Sequence, residues 1–255
     1  MPLALLPGWA LPASPADPAS AAVAGAASSA IPHAVAELPP PGEQRFVVFY
    51  GDMSRDLRVA EIGYRLDHDA GGYRLATQGK AVGMVAMFYS GVLVQNSVGR
   101  IGAEGLLPER YSERRGNRAE RVLQFDHARQ RMHGPAGLPE VPLPPRTQDR
   151  LSVFYQLGLM ARSQPSLFQA GQRFTLPLAS PKRVDIATFL VAGTGTVKTM
   201  RGAVPALRLT VRNEADPEDP TIEVWLGSEL SMLPARIRVE EPDGKVIDQV
   251  LVPAG

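Results

Sequence analysis

Cysteine is missing from this chain of 255 residues. Its absence excludes disulfides, thiolate metal sites, a cysteine nucleophile and a lipid-modified N-terminal cysteine, but does not separate a reducing compartment from an oxidising one. No apolar run approaches the ~18 residues that a membrane-spanning helix needs. Charge of one sign is also lacking: the formal net charge is +1, which generates no whole-chain field of the kind that draws in nucleic acid. Lys and Arg are absent from residues 1–44, which hold three acids (Asp17, Glu37 and Glu43), so the rest of the chain carries 27 Lys and Arg against 23 acids. Those bases are nearly all arginine.

What is present divides into a tail and a domain. From Leu11 to Pro41 the chain is mostly Ala, Pro and Ser, with too little large apolar area to offset the entropy of ordering it. Residues 1–44 therefore read as a disordered tail, extended where prolines cluster. Its first residues, MPLALLPGWALPASPA, pair a short apolar stretch with small residues like those of a signal cleavage region, yet lack the basic start of a secretory signal. A remnant of an export signal and an ordinary tail both stay open.

From Arg45 onward the hydrophobic period is mostly two, the mark of half-buried strands. RFVVFYG is a compact apolar strand, and residues 57–69 alternate up to Asp69-Ala70-Gly71-Gly72, a turn that closes a hairpin onto GYRLATQGK. Strand patterns follow at 84–101, 106–116 and 118–126, and a proline-rich loop spans 135–147. Strands resume from Gln172, and the last two form a hairpin around Pro242-Asp243-Gly244. Short turns without alternating helices predict an antiparallel sheet, large and curved or closing into an incomplete barrel, in a single domain over 45–255.

One stretch departs from this pattern. Residues 148–163 carry helical spacing, with Leu151, Phe154, Tyr155, Gly158, Leu159 and Arg162 recurring at three and four and Val153, Leu157 and Met160 widening the apolar arc. Thr147 is placed as an N-cap, Asp149 where the helix dipole favours negative charge, and Ser152 in the first turn. So wide an arc predicts a largely covered helix. It either closes a curved sheet or gates a lipid-sized cavity beneath Leu151, Phe154, Tyr155 and Leu159.

The sequences Gly105-Leu106-Leu107-Pro108 with Tyr111 and Arg114, Phe125-Asp126, Gln148-Asp149-Arg150-Leu151-Ser152, Val224-Trp225-Leu226 and Leu233-Pro234-Ala235-Arg236-Ile237 together resemble the DUF3108 family of bacterial proteins. The resemblance covers roughly residues 45–253. It implies a barrel-like antiparallel sheet, of the general shape of exported capsule-associated and lipoprotein-carrier-like folds, and a periplasmic location. It brings no catalytic residues.

Local chemistry is sparse. Gly193-Thr194-Gly195-Thr196-Val197-Lys198-Thr199 has Val197 where a phosphate-binding loop needs glycine before the lysine, and reads as a turn between strands. Gly99, Gly102 and Gly105 lack dinucleotide-binding spacing and read as bends. His68, His127 and His133 stand beside Asp67, Asp69 and Asp126 but find no second ligand pair at metal-binding spacing, so they read as turn residues. No nucleophile elbow occurs. Arg110, Arg114, Arg115, Arg118 and Arg121, followed by Arg129 and Arg131, form the one basic concentration; it reads as a solvated face or as a grip for an anionic partner.

The expectation is a non-enzymatic periplasmic protein, without cofactor or metal and monomeric. Its partner would be a lipid, an anionic polysaccharide or another envelope protein, and not nucleic acid. It binds or scaffolds an amphipathic or anionic envelope component; an interaction module that recruits an envelope protein is the alternative, and a hydrolase of envelope polymers stands third. A cavity of several hundred cubic ångströms would favour ligand carriage, and a filled interior scaffolding.

Overall fold

The computed structural model describes residues 37–55, 57–88, 91–212 and 219–253. The expectations for residues 1–36 lie outside the described residues. Fourteen strands make one antiparallel sheet: β1 Gly42–Tyr50, β2 Arg58–His68, β3 Gly72–Ala81, β4 Val92–Gly102, β5 Gly105–Arg115, β6 Arg121–Asp126, β7 Arg131–His133, β8 Val141–Pro142, β9 Arg173–Ala179, β10 Val184–Thr199, β11 Gly202–Arg212, β12 Thr221–Gly227, β13 Pro234–Glu240 and β14 Val246–Leu251. The sheet order is β8-β7-β6-β5-β4-β3-β2-β1-β14-β13-β12-β11-β10-β9. Two meanders are thus joined where the last strand pairs with the first, Phe46 opposite Leu251 and Tyr50 opposite Ile247. Between the meanders in sequence lies the helix α2, Ser152–Ser163, preceded in the chain by the short helix α1, Gly83–Phe88.

The turns follow from their residues. Asp69 accepts hydrogen bonds from the N–H groups of Gly71 and Gly72 at 3.0 and 2.8 Å, and Gly244 takes the left-handed conformation, φ +79°, that the last hairpin requires. Two strand-level expectations are corrected. The segment starting at Met84 opens as α1 and not as strand, because Gly83 at φ +60° breaks the extended chain. The phosphate-loop-like stretch is not a turn: it lies inside β10, bulged at Val191 and Gly193, and the turn falls at Thr199–Gly202.

The sheet curls around α2 without closing into a barrel. At the seam the chain after β8 runs beside β9: the Gln148 N–H donates to the Pro177 carbonyl at 2.9 Å, and the Gln148 carbonyl accepts from the Ala179 N–H at 2.8 Å. Nine of the twelve residues of α2 are buried, so the wide apolar arc is matched by cover on most sides. Leu151, Tyr155 and Leu159 enter one core with the β1–β8 half, Val153, Leu157 and Met160 enter a second with the β9–β14 half, and Phe154 touches both. Gly158 lets the β12–β13 loop lie on the helix, since a β-carbon there would meet the Met232 carbonyl oxygen at 2.8 Å.

Candidate functional site

Strand register builds the site. Tyr64, Thr77, Gln95 and Glu113 stand opposite one another on β2, β3, β4 and β5, with Arg121 of β6 next in line. The first four are buried, so a polar row crosses the inner face of the sheet. A second inner row runs Leu209, Val224, Ile237, Gln249 over β11 to β14. It is apolar until its last member. The Tyr64 hydroxyl donates to Gln249 Oε1 at 2.9 Å and joins the two rows.

Around this junction is a cavity of about 100 Å³ between α2 and the sheet. Its walls include Val153, Leu157, Leu178, Phe189, Val224 and Ile237, and its polar end is formed by Tyr64, Gln95, Arg150 and Gln249. Among the lining residues Arg150 and Phe154 alone are half-buried and the rest are buried. Arg150 lies just before α2 and Phe154 in its first turn, so the more exposed part of the lining is at the start of the helix.

Gln95 and Arg150 belong to a connected set of charges and dipoles with Tyr111, Glu113 and Arg115. Gln95 Nε2 donates to the Tyr111 hydroxyl at 2.8 Å and to Glu113 Oε2 at 2.9 Å. Arg115 meets Glu113 at 2.7 Å, and Arg150 approaches it at 3.9 Å. Burial acts to raise the Glu113 carboxyl, but the hydrogen bond and charge of Arg115, with help from Arg150 and Gln95, more than offset it and hold the group below the usual glutamate range. Burial raises the Tyr111 hydroxyl well above the usual tyrosine value, and the Glu113 charge adds to this.

Behind this set, Asp149 starts the helix. Its Oδ1 accepts the N–H groups of Leu151 and Ser152 at 2.8 and 2.9 Å, while the Asp149 N–H donates to Ser152 Oγ at 3.0 Å. This is a reciprocal capping box with serine as the returning residue. Thr147 is not the cap; its hydroxyl donates to the Pro144 carbonyl at 2.6 Å. Ser97 donates to Asp149 Oδ2 at 2.6 Å. Even with these donors, complete burial raises the Asp149 carboxyl above the ordinary aspartate value.

Of the cavity residues read from the sequence, Phe154 lines the 100 Å³ space. Leu151 and Leu159 face packed side chains of the first core, and Tyr155 borders a void of about 10 Å³. The five arginines do not share one surface. Arg110 pairs with Glu120 at 3.5 Å and Arg114 donates to the Gly116 carbonyl, Arg115 turns inward to Glu113, and Arg118 and Arg121 are exposed around the β5–β6 turn. His68 donates to the Pro39 carbonyl and His127 to the Pro108 carbonyl, and His133 faces Glu140 at 3.2 Å. His127 and His133 also border an open cleft of about 450 Å³ with Glu109 and Asp126. Both carboxylates are engaged there, Glu109 by Arg100 at 2.6 Å and Asp126 by the Arg129 N–H at 2.9 Å.

Gln95, Gln249 and Thr77 were not singled out from the sequence. A signal for Gln95 existed: the alternation that turns Leu93 inward turns Gln95 and Ser97 inward as well.

Some of the motifs quoted from the sequence meet in pairs. Gly105 and Leu106 lie against Gln148 and Gln156, Tyr111 joins the polar row, and the Arg236 guanidinium stands 5.5 Å over the Trp225 ring. The model for the family described as protein of unknown function (DUF3108) matches residues 45–251. The chain belongs to the DUF3108 family. Among curated proteins no sequence matches it. Among solved structures, the DUF3108 chain is similar to a β-barrel-like protein of domain of unknown function DUF1849 from Brucella abortus, at 13% identity and TM-score 0.54 over 86% of this chain and 98% of that one. That likeness is one of fold. A protein described as exported, with a YmcC-like fold, from Bacteroides fragilis aligns at 10% identity and TM-score 0.35, over 84% of this chain and 96% of its own. One described as a lipoprotein from Parabacteroides distasonis aligns at 6% and 0.33, over 84% and 94%.

Proposed function

We propose that this DUF3108 chain is a non-enzymatic protein of the cell envelope, in the periplasm, that takes the slender apolar part of an amphipathic envelope component into the cavity beside α2. The observation that carries this reading is the cavity's two-sided chemistry: aliphatic and aromatic walls, and a polar end made by Tyr64, Gln95, Arg150 and Gln249. Binding sites for small molecules share that composition, a mostly apolar lining with a few placed polar groups. At about 100 Å³ the space is well below the ~300–1,000 Å³ of sites for drug-sized ligands. Carriage of a whole lipid is therefore not part of the proposal. The periplasmic location rests on the family resemblance.

Native mass spectrometry of the protein purified from its own cells, with solvent extraction of the same sample, tests the binding. A small bound amphiphile is expected, and Val224→Phe, which fills the cavity from the sheet side, should lose it. Bare protein in both preparations would overturn the reading. Fractionation of cells expressing the gene with its upstream region tests location, and purely cytoplasmic protein would remove the envelope assignment.

A further inference from the structure

The cavity's polar end holds an unmet hydrogen-bond donor. Gln249 is 2% exposed, its Oε1 is taken by Tyr64, and its Nε2 makes no hydrogen bond to any described residue although the side chain lines the cavity. The amide N–H therefore opens onto the cavity, where an acceptor carried by a ligand can meet it. Arg150, at the rim, supplies a guanidinium whose donor fork suits a carboxylate. Charge agrees in sign. Arg115 and Arg150 both face Glu113, so the three together carry net positive charge where a headgroup would sit. Asp149, just ahead of α2, is turned toward Ser97 and the helix backbone.

Size limits the rest of the molecule. An engineered apolar cavity of about 150 Å³ takes up benzene, so a space of about 100 Å³ admits a straight chain of roughly four to six carbons, with one or two more spanning the rim. Resting on the chain-binding reading above, we infer that the ligand is an aliphatic carboxylate of about six to eight carbons, its chain between α2 and β10–β13 and its carboxylate accepting from Gln249 Nε2 and Arg150.

Calorimetric titration of the full chain with octanoate and with octan-1-ol, which share a chain and differ in headgroup, separates the two layers of the argument. Octanoate is expected to bind at least tenfold more tightly than octan-1-ol. Arg150→Gln and Gln249→Leu should each cut octanoate affinity about tenfold and leave octan-1-ol affinity within twofold; retained octan-1-ol binding also reports that each variant is folded. Equal affinity for acid and alcohol would overturn the carboxylate inference while leaving chain binding intact. No binding of either would overturn both.

Discussion

Gln148 and Gln156 grip the same residue from two sides. Gln148 Nε2 donates to the Leu106 carbonyl at 2.9 Å, and Gln156 Oε1 accepts the Leu106 N–H at 2.8 Å. Both side chains come from the segment between the meanders, so they tie α2 to the start of β5. Gly105 makes room for this, since at φ +106° its missing β-carbon would fall 2.2 Å from Gln156 Oε1.

Gln156→Ala should therefore cost about 1–3 kcal/mol of stability by leaving the buried Leu106 N–H without an acceptor. Gly105→Ala should lose at least as much, because the left-handed backbone strain adds to the steric conflict. Urea unfolding measures both, and a cost below half a kilocalorie for Gln156→Ala would show that the grip is dispensable.

Asp149 and Glu113 respond to pH in opposite senses. The Asp149 carboxyl is raised by burial, so its contribution to stability falls as pH rises from the ordinary aspartate value through the raised one. Glu113 is held low against burial by Arg115 and Arg150, so its contribution is present above the ordinary glutamate value and is lost as pH falls through the depressed one. Asp149→Asn keeps an oxygen for the Leu151 and Ser152 N–H groups and should steepen the rise of stability with pH on the acid side. Glu113→Gln should flatten that rise. Unfolding curves across the acid range that move together for both variants would contradict the assignment.

Arg236 and Asp248 form a two-bonded pair, 2.8 and 2.6 Å, with Asp248 fully buried. Arg236→Met strands the carboxylate and is expected to cost about 3–5 kcal/mol. Adding Asp248→Leu should recover most of the loss, because it is the unpaired charge and not the missing bridge that destabilises. A double-mutant cycle reads the coupling directly.

Leu157 and Leu159 lie on opposite sides of α2, the first beside the cavity and the second in a filled core. Truncating a buried leucine to alanine costs about 2–5 kcal/mol depending on the space left behind. Leu157→Ala belongs near the lower end, since its side chain already lacks neighbours on one side, and Leu159→Ala near the upper end. Thermal denaturation that ranks them the other way would argue against the cavity.

Much of this architecture was legible. Alternation in RVAEIGYRLDH, the Gly-rich turn after Asp69 and the hairpin at Gly244 predict strands where β2, β3, β13 and β14 lie. The helix at 148–163 was readable from three-and-four spacing because its apolar residues are large and regularly placed. The segment from Met84 misread because a run of apolar residues has no period to distinguish strand from helix, and the left-handed Gly83 decides between them. Thr147 misread as a cap because Thr and Asp are both good N-caps two positions apart, and the turn from Pro144 takes up the threonine hydroxyl.

The sequence by itself determined a mainly β chain, one covered helix and the turns that join antiparallel strands, because each of these is a preference of neighbouring residues. Tertiary structure alone decided that β14 pairs with β1 and that Tyr64, Thr77, Gln95 and Glu113 share one inner row. It also set Gln249 against Tyr64 at the end of an apolar wall. Those relations depend on register between strands far apart in the chain, and register is settled by which faces can be buried together, a property that no local stretch contains.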